Sequence, residues 1–290
     1  MNRNFFIVIL IFVAALVSCN KEEISTDIST KSIQLATNES NVENAVAESN
    51  YEADYFMNAE KALTHKFGRG KKCWWIPSMR YKIGHCPYVT IESAETGYPK
   101  TITLDYGDST VFRNGRVVSG TIVIYISAEP KTDGAYREMS YIDFKVDTIA
   151  IAGSSKSMFT GDNVSTRMQE MTSSLVFTFD NGLVITRTAK KTREWIEGLE
   201  TNTDQLDDKI QITGIVNATT SEGDVYVKEI VVPLIKIGDC RFIVEGIVEI
   251  SENGTTALKI DYGNGECDST ATLTKDGETI EIELRRGKCK

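Results

Sequence analysis

The chain has 290 residues, with 41 aspartates and glutamates against 32 lysines and arginines, and a net charge of −9 at neutral pH. An acidic chain without a long basic cluster argues against binding to nucleic acid or to an anionic lipid surface. The sequence contains no Gly-x-Ser-x-Gly elbow, no His-Glu-x-x-His pair and no P-loop. It therefore predicts no cofactor, no metal site and no catalytic constellation, which favours a protein that is not an enzyme.

The N-terminus is typical of an exported protein. An apolar run of about 13 residues follows Arg3, and this run is shorter than the roughly 20 residues that span a membrane. We therefore predict that residues 1–18 are a signal peptide. The stretch Leu16–Cys19 resembles the lipobox of bacterial lipoproteins. That resemblance implies cleavage before Cys19 and attachment of palmitate-type acyl chains, which anchor the chain to a membrane.

The residues after the lipobox indicate where the protein is placed. The stretch Asn20–Glu23 resembles the surface-export signal of Bacteroidetes-type lipoproteins, which predicts an outer-membrane protein that faces the extracellular side. The alternative is that these charges only begin a flexible tether. Residues 19–48 are rich in Ser, Thr, Asn and Glu and poor in large apolar residues, so we predict a flexible tether over this range.

A short helix is predicted after the tether. Apolar residues recur at three- and four-residue spacing between Tyr51 and Phe67, which is typical of a helix that docks one face on a domain. Ser49 or Asn50 is the expected N-cap of this helix.

From about Cys73 onward the apolar residues alternate with a period of two. The stretches Thr121–Ile126 and Leu175–Phe179 are examples, and turn dipeptides such as Asn114-Gly115 lie between such stretches. Short strands at roughly ten-residue spacing, without intervening helices, favour antiparallel sandwiches. The predicted fold class is all-β, with two sandwich-like antiparallel modules after the tether and the helix.

The chain contains an internal repeat. Asp105-Tyr-Gly follows Cys86, Asp261-Tyr-Gly follows Cys240, and a hairpin pattern comes next in both copies. We therefore predict a first module, with the helix, in residues 49–200 and a second in residues 201–290. Over about residues 86–285 this order of motifs resembles a group of all-β lipoproteins of Bacteroidetes-type bacteria. The resemblance implies an all-β lipoprotein, and it supplies no activity and no catalytic residues.

The same resemblance bears on the disulfides, which an exported chain can form. Proteins of this group often carry a cysteine just after the first Asp-Tyr-Gly, where this chain has Asp108 instead. The second copy has both cysteines, and this implies a Cys240–Cys267 disulfide.

The first copy leaves two alternatives open for Cys86. Its nearest candidate partner is Cys73, a pairing that leaves Cys289 free. In the alternative, Cys86 is free and buried. A Cys86–Cys240 link would contradict pairing within each module.

Tryptophans are the remaining candidate binding residues. Trp74 and Trp75 form an adjacent pair that is suited to stacking on a ligand such as a sugar, although one of them packing in the core is the simpler interpretation. Arg187, Arg193 and Trp195 have the even spacing that places side chains on one face of a strand, with cations beside an aromatic ring.

These observations favour a binding or interaction module, with a glycan or a protein as its ligand, because an exported antiparallel scaffold carries no catalytic motif. Two other functions remain open. One is an extracellular carbohydrate-active hydrolase that uses carboxylates which the sequence does not single out. The other is a purely structural protein of the envelope.

Overall fold

The computed structural model describes residues 28–67, 71–72, 86–94, 97–130, 132–162, 164–201, 205–252 and 255–284. Within these ranges a helix, α1 (Thr30–Phe67), precedes fifteen strands, so the protein is predominantly β. The strands are β1 (Lys71–Lys72), β2 (Tyr88–Ser93), β3 (Lys100–Asp105), β4 (Thr110–Val111), β5 (Val117–Ile126), β6 (Tyr136–Val146), β7 (Ile149–Thr160), β8 (Met168–Phe179), β9 (Val184–Glu197), β10 (Lys209–Thr220), β11 (Val225–Ile237), β12 (Glu245–Glu252), β13 (Thr255–Asn264), β14 (Thr270–Lys275) and β15 (Glu278–Glu283).

The strands form where apolar and polar residues alternate. In β8, Gln169, Met171, Leu175 and Phe177 are buried, whereas the residues between them are more exposed. This alternation places one face of the sheet against the core and the other against solvent.

The sheet is a single open meander. Each strand pairs antiparallel with the next one in the chain, except that β3 pairs with β5 and the short β4 joins β5 beside it. The ladder between β9 and β10 runs from Glu197 to Ile185 on one strand and from Lys209 to Thr220 on the other, with one irregularity between Lys209 and Ile210. The predicted division into two sandwich-like modules near residue 200 is therefore not confirmed, because one sheet crosses this boundary.

Helix α1 begins far upstream of the predicted helix. The sequence predicts a flexible tether to residue 48 and a helix from Tyr51, but residues from Thr30 onward are helical. The backbone N–H of Ser32 donates to Ser29 Oγ at 3.2 Å, so Ser29 is the N-cap. Ser49 Oγ and Asn50 Nδ2 instead donate to the carbonyl oxygen of Val46, inside the helix. Of the described residues, no helix is both long and apolar enough to cross a membrane.

The sheet curves around the helix. Ser40 contacts Tyr262 of β13, Ser49 contacts Tyr141 of β6, and Tyr51 donates to the carbonyl oxygen of Gln205 between β9 and β10. These partners come from distant parts of one meander, yet all of them reach the same helix. Side chains on every face of the helix between Ala36 and Met57 are accordingly buried. The predicted tether is wrong over this range because the segment is the centre of the core.

The sequence repeat marks two docking points on this helix. Asp105 Oδ1 accepts the N–H of Gly107, and Asp261 Oδ1 accepts the N–H of Gly263 in the same way, at 2.8 and 3.0 Å. The tyrosine in the middle of each copy reaches the helix. Tyr106 donates to Glu52 at 2.7 Å, and the hydroxyl of Tyr262 lies 3.2 Å from that of Ser40. The two Asp-Tyr-Gly copies therefore share a local turn that directs a tyrosine at the helix.

Buried ion pairs connect the helix to the middle of the sheet. Lys228 Nζ lies 2.9 Å from both Glu39 Oε2 and Glu43 Oε2. Lys191 Nζ also contacts Glu43, and Arg187 Nη2 lies 3.5 Å from Glu43 Oε2. Since Glu39 and Glu43 are one helical turn apart, both carboxylates reach the same cations on β9 and β11. We call these five residues the lower ion cluster.

A second cluster lies further along the helix. Asp54 contacts Arg137 Nη1 at 2.5 Å and Arg193 Nη2 at 2.8 Å, and it accepts a hydrogen bond from Gln169 at 3.2 Å. Asn50 accepts from Arg137 Nη2 at 2.7 Å. A helix with few large apolar residues is thus held by charge and hydrogen bonding at buried positions.

The clusters hold their acids ionised. Burial opposes the charged form of Glu39, but Arg187 and Lys228 outweigh it and lower its pKa to about 2. Burial likewise opposes ionisation of Glu43, whose pKa Lys191 and Lys228 nevertheless hold well below its usual value. The pKa of Asp54 is also lowered, because Arg137 and Arg193 outweigh its burial.

Removing one charge from the lower ion cluster should strongly destabilise the fold. We expect Glu43→Gln to reduce the free energy of unfolding by about 3–5 kcal/mol, because it leaves buried cations without their main counter-charge. Urea denaturation of the purified protein measures this. Glu138→Gln is the matched control, since Glu138 pairs with Lys156 at 2.9 Å on the exposed face of the sheet and should change the stability little. Equal losses in both variants would contradict a special role for the cluster.

Acid should unfold the protein through the same carboxylates. Their pKa values are lower in the folded state than in the unfolded chain, so their stabilisation is present above about pH 4.5 and is lost as the pH falls toward 2. Glu39 alone accounts for about 3 kcal/mol over this window.

Asp208 has the opposite effect on stability. Burial raises its pKa to about 6, so its ionisation weakens the fold as the pH rises from about 4 to 6. We expect denaturant titrations at a series of acidic pH values to give the largest free energy of unfolding near pH 5. This free energy should fall steeply as the pH is lowered further. A stability that stays constant from pH 5 to pH 3 would contradict this assignment.

Candidate functional site: a polar cleft beside the helix

A cleft of about 680 Å³ opens beside the N-terminal half of α1. The helix forms its floor, and its walls are the turns after β4, β6 and β8 together with the loop after β11. Its lining residues combine amides, charged groups and two phenylalanines: Asn38, Asn41, Asn44, Ala45, Gly115, Arg116, Val146, Asp147, Thr148, Ile149, Phe179, Asp180, Asn181, Arg241, Phe242 and Leu284. We call it the asparagine cleft.

Three asparagines supply polar side chains at the floor of the cleft. Asn38, Asn41 and Asn44 recur every three residues, and this spacing keeps them near one face of the helix. Asn44 is fixed, because its Nδ2 donates to the carbonyl of Ser40 and its Oδ1 accepts the N–H of Ile243, both at 2.9 Å. Asn41 is the least buried of the three. Each amide side chain carries both donors and an acceptor, which suits a ligand rich in hydroxyl groups.

Two arginines and an aspartate form one wall. Arg241 Nη2 lies 2.5 Å from Asp147 Oδ2, and Asp147 Oδ1 accepts the N–H of Val117 at 3.0 Å. Arg116 donates to the carbonyl oxygens of Asn44, at 3.4 Å, and of Arg241, at 3.2 Å. Arg116 thereby ties the helix, the β4–β5 turn and the loop after β11 to one another.

The charges at this wall nearly cancel. Arg116 Nε lies 3.3 Å from Glu48 Oε2, so the guanidinium groups of Arg116 and Arg241 face the carboxylates of Glu48 and Asp147. Asp180 adds one more acid to the lining. A cleft whose lining carries two cations and two acids favours a neutral polar ligand over a strongly charged one.

Apolar surface completes the cleft. Phe179 ends β8, and Phe242 follows Arg241, whose guanidinium carbon lies 5.7 Å from the centre of the Phe242 ring. Both rings are mostly buried, so they bound the cleft without projecting into solvent. The mixture of a few fixed polar groups with aromatic walls is typical of a site for a small organic ligand.

A disulfide fixes the loop that carries Arg241 and Phe242. Cys240 and Cys267 are bonded, with an S–S distance of 2.05 Å, which is the pair that the family resemblance implied. The bond joins the loop after β11 to the turn after β13. Closing this stretch of 27 residues limits the freedom of the cleft wall.

Other predicted site residues lie elsewhere. Cys86 takes part in a disulfide, whereas Cys73, its predicted partner, lies outside the described residues. Cys19, Trp74, Trp75 and Cys289 also lie outside them, so lipidation at Cys19 and ligand binding by the tryptophan pair stay predictions.

The predicted face of cations beside an aromatic ring is present in β9, but it is structural. Arg187, Arg193 and Trp195 are all buried, and the Arg193 guanidinium carbon lies 4.8 Å from the centre of the Trp195 ring. The indole N–H of Trp195 donates to Asp208 Oδ2 at 3.2 Å. These groups form part of the core and do not line the cleft.

Metal-ligand clusters and buried carboxyl groups bear on what chemistry the site can perform. Among the described residues, no group of three or more histidines, cysteines or acids is placed to hold a metal ion. Asp208, the described carboxyl group whose pKa burial raises to about 6, does not line the cleft.

Sequence reasoning missed the asparagine cleft because its floor lies within the predicted tether. The spacing of Asn38, Asn41 and Asn44, together with glutamates four residues apart at Glu39 and Glu43, was the available signal. No protein-family model, curated protein or solved structure matches the chain.

Proposed function

We propose that this protein is a lipid-anchored binding protein of the outer membrane that faces the extracellular side and holds a neutral glycan in the asparagine cleft. The single observation that carries the ligand assignment is the row of three helix asparagines beside a nearly charge-balanced arginine–aspartate wall. Hydroxyl groups both donate and accept hydrogen bonds, as amide side chains do. The exposed parts of Phe179 and Phe242 add a small apolar surface beside these polar groups.

The size of the cleft supports a ligand smaller than a protein. Its volume of about 680 Å³ lies within the range of roughly 300–1,000 Å³ for small-molecule sites. A protein partner would need about 800 Å² of complementary surface on this chain. A concave site bounded by short turns fits a few sugar units better than it fits such an interface.

Rigid walls support binding by a preformed site. Arg116 joins three chain segments through its guanidinium group, and the Cys240–Cys267 bond restrains a fourth. A site of this kind loses little conformational entropy when it binds.

The anchor and the location rest on the sequence. The lipobox-like stretch Leu16–Cys19 supports lipidation, and the acidic stretch after it supports export to the surface.

Loss of one cleft amide should weaken glycan binding. We expect Asn41→Ala to reduce affinity for a glycan identified on an array by about tenfold, the equivalent of one or two lost hydrogen bonds. Asn217→Ala is the matched control, because Asn217 lies exposed on β10 and does not line the cleft. Calorimetry on the purified protein measures both. Absence of binding to any neutral glycan, or equal losses in the two variants, would overturn the ligand assignment. Cleavage of the bound glycan would instead favour the hydrolase, and capture of a peptide would favour a protein ligand.

Lipidation should depend on Cys19. We expect the wild-type chain, expressed in a bacterium that processes lipoproteins, to incorporate an alkynyl fatty acid and to sediment with the outer membrane, whereas Cys19→Ala should lose the label. Protease added to intact cells should remove the wild-type protein. A wild-type chain without label would contradict the anchor, and full protection from protease would contradict display at the surface.

A further inference from the structure

A small cavity lies between the helix and the middle of the sheet. It measures about 20 Å³ and is lined by Val46, Asn50, Tyr141, Ser155, Met171, Ser173, Leu175, Phe177, Arg187, Ala189 and Lys191. The asparagine cleft shares none of these residues. The cavity therefore belongs to a different site.

Strand register explains why there is space at this point. Ser155 of β7 is opposite Ser173 of β8, and Ser173 is opposite Ala189 of β9. Three short side chains thus lie side by side across three strands, whereas the neighbouring inward positions of β8 and β9 carry the longer Met171, Leu175, Arg187 and Lys191. The row leaves a gap beneath Val46 and Asn50 of the helix.

The lining of the cavity is positively charged. Arg187 and Lys191 both contribute to it, and both belong to the lower ion cluster, where three cations face only Glu39 and Glu43. The same imbalance extends through the interior. Among the described residues, the buried cations outnumber the buried acids by nine to six: Lys100, Arg116, Arg137, Arg167, Arg187, Lys191, Arg193, Lys228 and Lys236 against Glu39, Glu43, Glu48, Glu52, Asp54 and Asp208.

One side chain of the cavity lining carries a donor without a partner. Arg187 is 3% exposed, and its Nη2 faces Glu43, but its Nη1 is buried without a hydrogen-bond acceptor. A buried charged donor without an acceptor is costly, so an acceptor at this position would stabilise the fold. The hydroxyl group of Ser173 is a further polar group in the lining, whereas the Tyr141 hydroxyl is already bonded to Ser49 Oγ at 3.1 Å.

We infer that the cavity is a binding site for a single monatomic anion, with chloride as the physiological occupant. The volume of about 20 Å³ exceeds the ~10–15 Å³ that one water molecule needs, and it leaves no room for an oxyanion such as phosphate. Water would satisfy the Arg187 donor but would leave the excess positive charge in place. A halide supplies both an acceptor and a compensating charge.

Burial acts on the same cations. It lowers the pKa of Lys191 to about 8, with Glu43 opposing the shift and the neighbouring Lys228 and Arg187 adding to it. An anion beside these side chains offsets their mutual repulsion.

The test compares halide dependence in two neighbouring variants. Melting temperatures are measured in chloride and in gluconate at the same ionic strength, because gluconate is too large for the cavity. We expect chloride at saturating concentration to raise the melting temperature of the wild-type protein by about 2–8 °C relative to gluconate.

Ser173→Val fills the cavity without removing a charge, so we expect it to abolish the difference between the two salts. Ser174→Val is the matched control, since Ser174 is the next residue of β8 and faces solvent; it should retain the difference. Crystals grown in bromide should show anomalous scattering in the cavity. A wild-type protein with no chloride effect, an equal effect in both variants, or a cavity that holds only water in bromide would overturn the assignment.

Discussion

The attraction between buried carboxylates of the helix and buried cations of the sheet is the constraint on which the fold depends. Glu39, Glu43 and Asp54 lie inside the sheet, where an unpaired charge is strongly unfavourable. Each is matched by lysines or arginines from strands that are far apart in the meander. The pairing therefore fixes how the helix is rotated and how far it is inserted. It also keeps the sheet curved, because partners on β6, β9 and β11 must reach one axis.

That rotation places the asparagine cleft. With the glutamates directed at β9 and β11, Asn38, Asn41 and Asn44 lie on another side of the helix, beside the turns after β6 and β8. Arg116 then connects the helix backbone to the loop after β11, and the Cys240–Cys267 bond holds that loop from the other side. Core and site therefore share one set of interactions, and a change in the ion clusters alters the floor of the cleft as well as the stability of the fold.

The strands were predictable from the sequence and the helix only in part. Alternation identified stretches such as Leu175–Phe179 because one face of each strand is apolar and buried. The part of the helix before Tyr51 was not predicted, because charged and amide side chains form its buried contacts. Its composition therefore matches that of a solvated segment. The even spacing of Arg187, Lys191 and Arg193 places these cations on one face of the strand. If that face is inward, buried acids must pair with them. The repeat was visible, but a shared turn did not reveal that one sheet runs through both copies.

The position of the helix in the chain has a consequence for the order of folding. Lys228 is 185 residues from Glu43, and Tyr262 is 222 residues from Ser40. The helix is synthesised before the strands, and Lys228 follows Arg187 and Lys191 by several tens of residues. A nascent chain that stops before β11 contains Arg187 and Lys191 but lacks Lys228, the cation that lies 2.9 Å from both Glu39 and Glu43. The lower ion cluster is therefore complete only once β11 has been synthesised, so the contacts that bury the helix are among the most non-local in the chain.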